Sequence, residues 1–185
     1  WLSEACDGLS NGSVELFITS YNAFAKYLAT IGISAYIQDY VLDMRGRRYT
    51  PYIFSSDEME KIFDIADSGT ATKGILSRIQ IPMLLRILYG CGLRLGEALG
   101  MHLSNVDLEN GALFIRNGKG NKDRIVPMDR TLSEILAVYC ATMFSERKDD
   151  PYLFESDYKD SRRNCVGHPR SEGWALANFR SILKK

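Results

Sequence analysis

Between Met83 and Leu103 the chain reads MLLRILYGCGLRLGEALGMHL. Its first part, Met83 to Gly90, is apolar enough to predict a fully buried helix. That run breaks at Gly90 and Gly92, and an arginine, Arg94, follows between glycines. A charge set this close to a core needs a partner, either an internal carboxylate or a ligand. Glu97 lies three residues on. Taken by itself, Arg94 with Glu97 reads as a surface ion pair at i,i+3, worth roughly a few tenths of a kcal/mol.

The surrounding pattern is mostly helical. Val14, Phe17, Ile18, Tyr21, Phe24, Ala25, Leu28 and Ile31 recur at helical spacing, and Gly32 is placed to stop that helix. RGRRYTP, from Arg45 to Pro51, reads as an exposed basic linker, so a domain boundary is expected near residue 48. SSDE, from Ser55 to Glu58, predicts a capping box, with Met59, Ile62, Phe63 and Ala66 on the face behind it. Pro82 is expected in the first turn of the next helix, where a missing N–H does no harm. A helix from about Arg94 to Gly100 would put Leu95, Ala98, Leu99 and His102 on one side and Arg94, Glu97 and Met101 on another. ALFIR and RIVPM read as two short strands joined by the glycine-rich NGKGNKD, a β-hairpin. Leu132, Ile135, Leu136, Tyr139 and Met143 mark another helix, and Trp174, Leu176, Phe179 and Leu183 a last one. Residues 145–173 read as polar and irregular.

Composition removes several classes of function. The 185 residues carry 23 basic and 23 acidic side chains, so the chain as a whole is not a basic nucleic-acid binder. Its bases are nevertheless clustered, at Arg45, Arg47 and Arg48 and again between Arg116 and Arg130, so a nucleic-acid face must be local. Cys6, Cys91, Cys140 and Cys165 form no C-x-x-C pair, and the pattern favours buried thiols over zinc. Gly90, Gly92 and Gly96 have the wrong spacing for a dinucleotide fingerprint, and Lys119 is followed by glycine, so NGKGNK is no P-loop. No apolar run reaches the roughly 20 residues a bilayer span needs, and no secretory signal pattern opens the chain, so cytoplasm is the expected location.

On their own, Lys119, Lys122 and Arg124 read as a solvated turn. Read together with the Arg94 stretch they are far more specific. Gly92-Leu93-Arg94, Glu97, Leu99 and Asp107, then Gly118-Lys119-Gly120, Lys122, Arg124 and Pro127, resemble the first active-site box and the basic hairpin of the tyrosine recombinases, the phage-integrase family. The resemblance is strong over about residues 50–130. It implies an α+β fold, mostly α. Residues 1–48 would be the C-terminal part of a helical core-binding domain with its basic linker, and 49–185 the N-terminal part of a catalytic domain with a small β-hairpin or sheet.

The resemblance further implies site-specific recombination or integration of phage or mobile-element DNA. The reaction is a transesterification through a 3′-phosphotyrosyl link, needing no cofactor or metal, on double-stranded DNA held by sister subunits in a tetrameric synapse. Arg94 would grip the scissile phosphate, as suits a permanently charged fork of donors. Lys119 would protonate the leaving 5′ oxygen as a general acid. Glu97 and Asp107 would support the site, and Arg45, Arg47, Arg48, Lys122 and Arg124 would bind DNA. Arg94 is expected to be partly open to solvent, beside the hairpin.

The family's H-x-x-R box and tyrosine nucleophile are not identifiable. His168 stands in HPRS, and His102 is expected to be a packed histidine. Tyr139, Tyr152 and Tyr158 all precede the place of the missing box. The chain therefore reads as a fragment of a longer recombinase, inactive alone. Two alternatives stand beside it: a non-catalytic DNA-binding or regulatory remnant, and a structural helical domain that happens to carry Arg94 and Lys119.

Overall fold

Helical periodicity dominates the chain, and among the described residues six α-helices and a small sheet result. The computed structural model describes residues 8–9, 11–38, 50–116, 122–147, 149–159 and 164–185. The elements are α1 (Asn11–Thr30), α2 (Ser56–Ser68), α3 (Ile75–Cys91), the short α4 (Leu95–Leu99), a 3-10 turn (Leu103–Asn105), β1 (Val106–Asp107), β2 (Ala112–Ile115), β3 (Arg124–Pro127), α5 (Arg130–Phe144) and α6 (Glu172–Ile182). Two compact units divide the chain, Trp1–Ile53 and Phe54–Lys185.

In the first unit α1 buries Ile18 and Ala25. Its last turn closes at Gly32, whose φ of 81° is readily adopted only without a Cβ. The chain then runs back along the helix. Asn22 Nδ2 donates to the Gln38 carbonyl at 2.9 Å, and its Oδ1 accepts from the Gln38 N–H at 2.9 Å.

In the second unit α2 begins as its local sequence dictates. The Ser55 hydroxyl accepts from the Glu58 N–H and the Glu58 carboxylate from the Ser55 N–H, which satisfies two otherwise orphaned donors. Helix α3 packs against α2 and α5, and α6 touches α2 and α4. The core between them contains Ile62, Ile81, Leu84, Ile87, Leu136 and Ile182. The sheet is antiparallel in the order β1-β2-β3. Leu113 and Ile115 of β2 enter the core, while Ile125 of β3 faces solvent. Asp107 closes the β1–β2 turn, where its carboxylate accepts from the N–H and side-chain amide of Asn110 at 2.9 and 2.8 Å.

Several expectations from sequence require correction. Pro82 lies in the interior of α3, not its first turn, because the helix begins seven residues earlier at Ile75. Met83–Gly90 is only half buried. Met83, Leu84 and Ile87 are sealed, but Tyr89 is exposed, and Arg86 reaches Asp67 with two bonds of 2.8 and 2.6 Å. Helix α4 stops at Leu99, too short to carry a face as far as residue 102. Met101 is consequently in the core and not beside Arg94. Ile135, Leu176 and Leu183 are exposed, whereas Phe144, Ala175 and Ile182 are buried on the same helices. The stretch 145–173 is not merely irregular. Leu153 and Phe154 are fully buried, held by the Leu153 N–H on the Met101 carbonyl at 2.7 Å and the Arg170 N–H on the Phe154 carbonyl at 2.8 Å.

Candidate active site

The site begins where α3 ends. Gly92 closes α3 with φ 60°, a left-handed cap, and its N–H donates to the Leu88 carbonyl. Gly90 serves a different need: a Cβ there would approach Leu132 of α5 to 3.1 Å. Leu93 then drops into the core and Arg94 emerges, extended, as the N-cap of α4. A guanidinium has no acceptor, so Arg94 cannot cap the helix through its side chain. The return arm of a capping box is present, however, with the Arg94 N–H donating to Glu97 Oε2 at 3.0 Å.

Three charged side chains meet at this point. Arg94 Nη1 donates to Glu97 Oε1 at 2.9 Å. From β3, Arg124 Nη1 and Nη2 donate to Oε1 and Oε2 of the same carboxylate at 2.9 and 2.7 Å. Exposure is graded: the Glu97 side chain is 10% exposed, Arg124 37% and Arg94 58%. The Arg124 fork, the Arg94 N–H and the Arg94 side chain outweigh desolvation and hold the Glu97 carboxyl down at about 2. The same pairing raises the Arg124 guanidinium above its ordinary value. Glu97 is therefore ionised throughout the physiological range.

Glu97 also lines a cleft of about 370 Å³ with Phe114, Arg116, His102, Tyr152 and Pro169. His102 is packed but half-exposed. Its ring lies 4.1 Å from that of Tyr152, and Nδ1 is 3.0 Å from the Asp150 carbonyl. Asp150 in turn accepts from the Ser104 N–H and hydroxyl at 2.8 Å each, which lowers its carboxyl pKa. Arg116, just after β2, and Lys122, just before β3, are exposed. Asp107 bonds to Asn110 and fixes the β1–β2 turn. Lys119, Arg45, Arg47 and Arg48 lie outside the described residues. Among the described residues no cluster of three or more His, Cys, Asp or Glu side chains is arranged to hold a metal ion. No helix among them is long and apolar enough to cross a membrane.

Sequence reasoning paired Arg94 with Glu97 but assigned Arg124 to phosphate alone, although Glu97 and Arg124 form the most complete ion pair of the site. It also missed a second arginine network. Arg170, 8% exposed, donates to Gln80 Oε1 and Asp157 Oδ1 at 2.9 and 2.8 Å and lies 4.9 Å from the Trp174 ring centroid. Gln80 is fully buried and its Nε2 donates to the Glu155 carbonyl at 2.8 Å. The visible signal was a lone glutamine inside the apolar run ILSRIQIPMLL, since a buried amide requires partners.

An arginine at the start of a short helix is thus tied, through a carboxylate only 10% exposed, to a basic hairpin. The chain belongs to the phage integrase family, whose model matches residues 53–185. It is 31% identical over 161 residues to tyrosine recombinase XerC of Listeria welshimeri, an alignment covering 86% of this chain and 51% of that protein. It is 35% identical over 115 residues to tyrosine recombinase XerA of Pyrococcus horikoshii, covering 62% and 34%. Among solved structures, the XerH site-specific recombinase bound to a palindromic difH substrate superposes with a TM-score of 0.66 at 21% identity. That match covers 99% of this chain and 50% of the other, and it shows a shared fold. The chain spans about half the length, or less, of these curated relatives.

Proposed function

We propose that the whole protein is a tyrosine-type site-specific recombinase acting on double-stranded DNA of phage or mobile-element origin in the cytoplasm, in a synapse of sister subunits. The observation that carries the reading is the Arg94–Glu97–Arg124 cluster, with Arg94 outermost, on a domain that matches the integrase family. In this reading a tyrosine oxygen attacks the scissile phosphorus and the bond to the 5′ oxygen breaks. Lys119 gives its proton to that oxygen, and a second 5′-hydroxyl later reverses the link. Arg94 offers N–H donors to the phosphoryl oxygens, where negative charge builds up as the attacking oxygen adds. Lys122, with Arg45, Arg47 and Arg48, holds neighbouring phosphates and sets position, not sequence.

The 185 residues contain no H-x-x-R. Tyr139 is unsuited to attack: it is buried, its hydroxyl donates to the Leu153 carbonyl at 2.6 Å, and burial raises its pKa far above the ordinary range. We infer that these 185 residues alone do not cleave DNA, since Arg94 and Lys119 cannot replace the attacking oxygen.

The test is incubation with a nicked duplex carrying the recombination site, followed by denaturing electrophoresis. The whole protein is expected to form a covalent protein–DNA band, reduced about 10²- to 10³-fold by Arg94→Ala. The 185-residue chain is expected to form none. No band from the whole protein would favour a DNA-binding remnant. A band from the short chain, mapped to Tyr139, Tyr152 or Tyr158, would reassign the nucleophile.

A further inference from the structure

A carboxylate offers about four lone-pair sites on its two oxygens. At Glu97 four donors are present: the Arg94 N–H, Arg94 Nη1, Arg124 Nη1 and Arg124 Nη2. The carboxylate is thereby filled, and Arg124 supplies the only bidentate grip on it. Arg94 contributes one side-chain bond and, among the described residues, leaves its other guanidinium donors unused. A guanidinium beside a carboxylate ordinarily takes two parallel bonds. At Glu97 the two parallel guanidinium bonds come from Arg124 instead.

We propose that Arg124 is a positioning residue for Arg94: by occupying Glu97 it keeps the Arg94 guanidinium open toward a DNA phosphate. The inference rests on the recombinase reading above and adds a role that the resemblance does not assign to Arg124. The backbone supports it. Arg124 pairs in register with Ile115, which is 3% exposed, so the β2–β3 ladder fixes where the fork is presented. The exposure gradient agrees, because the arginine on the hairpin is less exposed than the one on the helix. Charge follows the same logic. With both arginines on one carboxylate the cluster is net positive. Without Arg124, Glu97 and Arg94 form a closed neutral pair, a poor receptor for phosphate. A lysine cannot substitute fully, since an ammonium is a point charge without the planar fork.

The alternative is that Arg124 touches phosphate itself, and Glu97 distinguishes the two. Affinity of the 185-residue chain for a short duplex is measured against salt for Arg124→Ala, Glu97→Gln and the double variant. Arg124→Ala is expected to weaken binding about tenfold and to flatten the log–log salt slope by about 0.9. In the Glu97→Gln background, where no carboxylate remains to capture Arg94, the same substitution should change affinity by less than about twofold. A full loss in both backgrounds means direct phosphate contact and overturns the proposal.

A second readout needs no DNA. NMR of the Arg94 guanidinium should show slowed Nη rotation in Arg124→Ala, and unchanged signals would also overturn it. If Arg94→Ala leaves DNA binding intact, the recombinase site itself is misassigned, whatever the NMR shows. Should Arg124→Ala unfold, Arg124→Lys is expected to give a smaller loss that Glu97→Gln again removes; a loss it does not remove counts against the proposal.

Discussion

Glu97 on α4 receives Arg124 of β3 in two hydrogen bonds of 2.9 and 2.7 Å while keeping a single side-chain bond to Arg94, its neighbour in sequence. The partner 27 residues away holds the carboxylate more fully than the partner three residues away. This contact ties the helix that carries Arg94 to the hairpin.

The pairing makes stability depend on acid. The Glu97 carboxyl is at about 2 in the folded chain, against an ordinary value of 4.5. A lowered folded value means the unfolded chain binds the proton more readily. The contribution is complete above about pH 4.5 and is lost as pH falls toward 2. Urea denaturation at pH 7, 4 and 2.5 should show the wild type losing more stability over this window than Glu97→Gln. Parallel losses in the two proteins would mean that Glu97 is not held as the geometry shows.

Lys122 has a different role from Arg124. It is exposed on the approach to β3, and among the described residues no ion pair engages it. Lys122→Ala should flatten the salt dependence of duplex binding by about 0.9 through loss of one phosphate contact. Glu97→Gln should not alter that effect. Fluorescence anisotropy across a salt series reads both, and an unchanged slope in Lys122→Ala would remove Lys122 from the interface.

Pro82 sits inside α3, where it supplies no N–H to the Arg78 carbonyl one turn earlier. Pro82→Ala restores that donor and is expected to stabilise the fold by about 1–3 kcal/mol. Chemical denaturation measures it. A destabilised variant would show that the ring's packing matters more than the missing hydrogen bond.

Phe154 is fully buried and lies 6.0 Å from Tyr139, ring centroid to centroid. Phe154→Ala should cost about 3–5 kcal/mol, as core truncation of a large aromatic does. A loss below about 1 kcal/mol, measured by urea denaturation, would place 151–156 outside the core.

The sequence by itself determined what a few neighbouring residues can settle. Ser55 and Glu58 cap α2, and Gly92 turns the chain before Arg94. Those signals are local, because a cap is a hydrogen bond across three residues and a left-handed turn is a property of one. The motif that carries the family resemblance is likewise contiguous, from Gly92 to Pro127. Only the tertiary structure decided between partners that are equal in chemistry. A carboxylate at position 97 has no sequence rule by which to prefer Arg124 over Arg94; the β2–β3 register delivers Arg124 and leaves Arg94 outside. Nor does polarity in 145–173 reveal that Leu153 and Phe154 close the core and that Arg170 is buried on Gln80, 90 residues away. Burial at those positions is set by what other elements bring alongside. A two-residue apolar step in a polar loop carries no periodicity by which to recognise it.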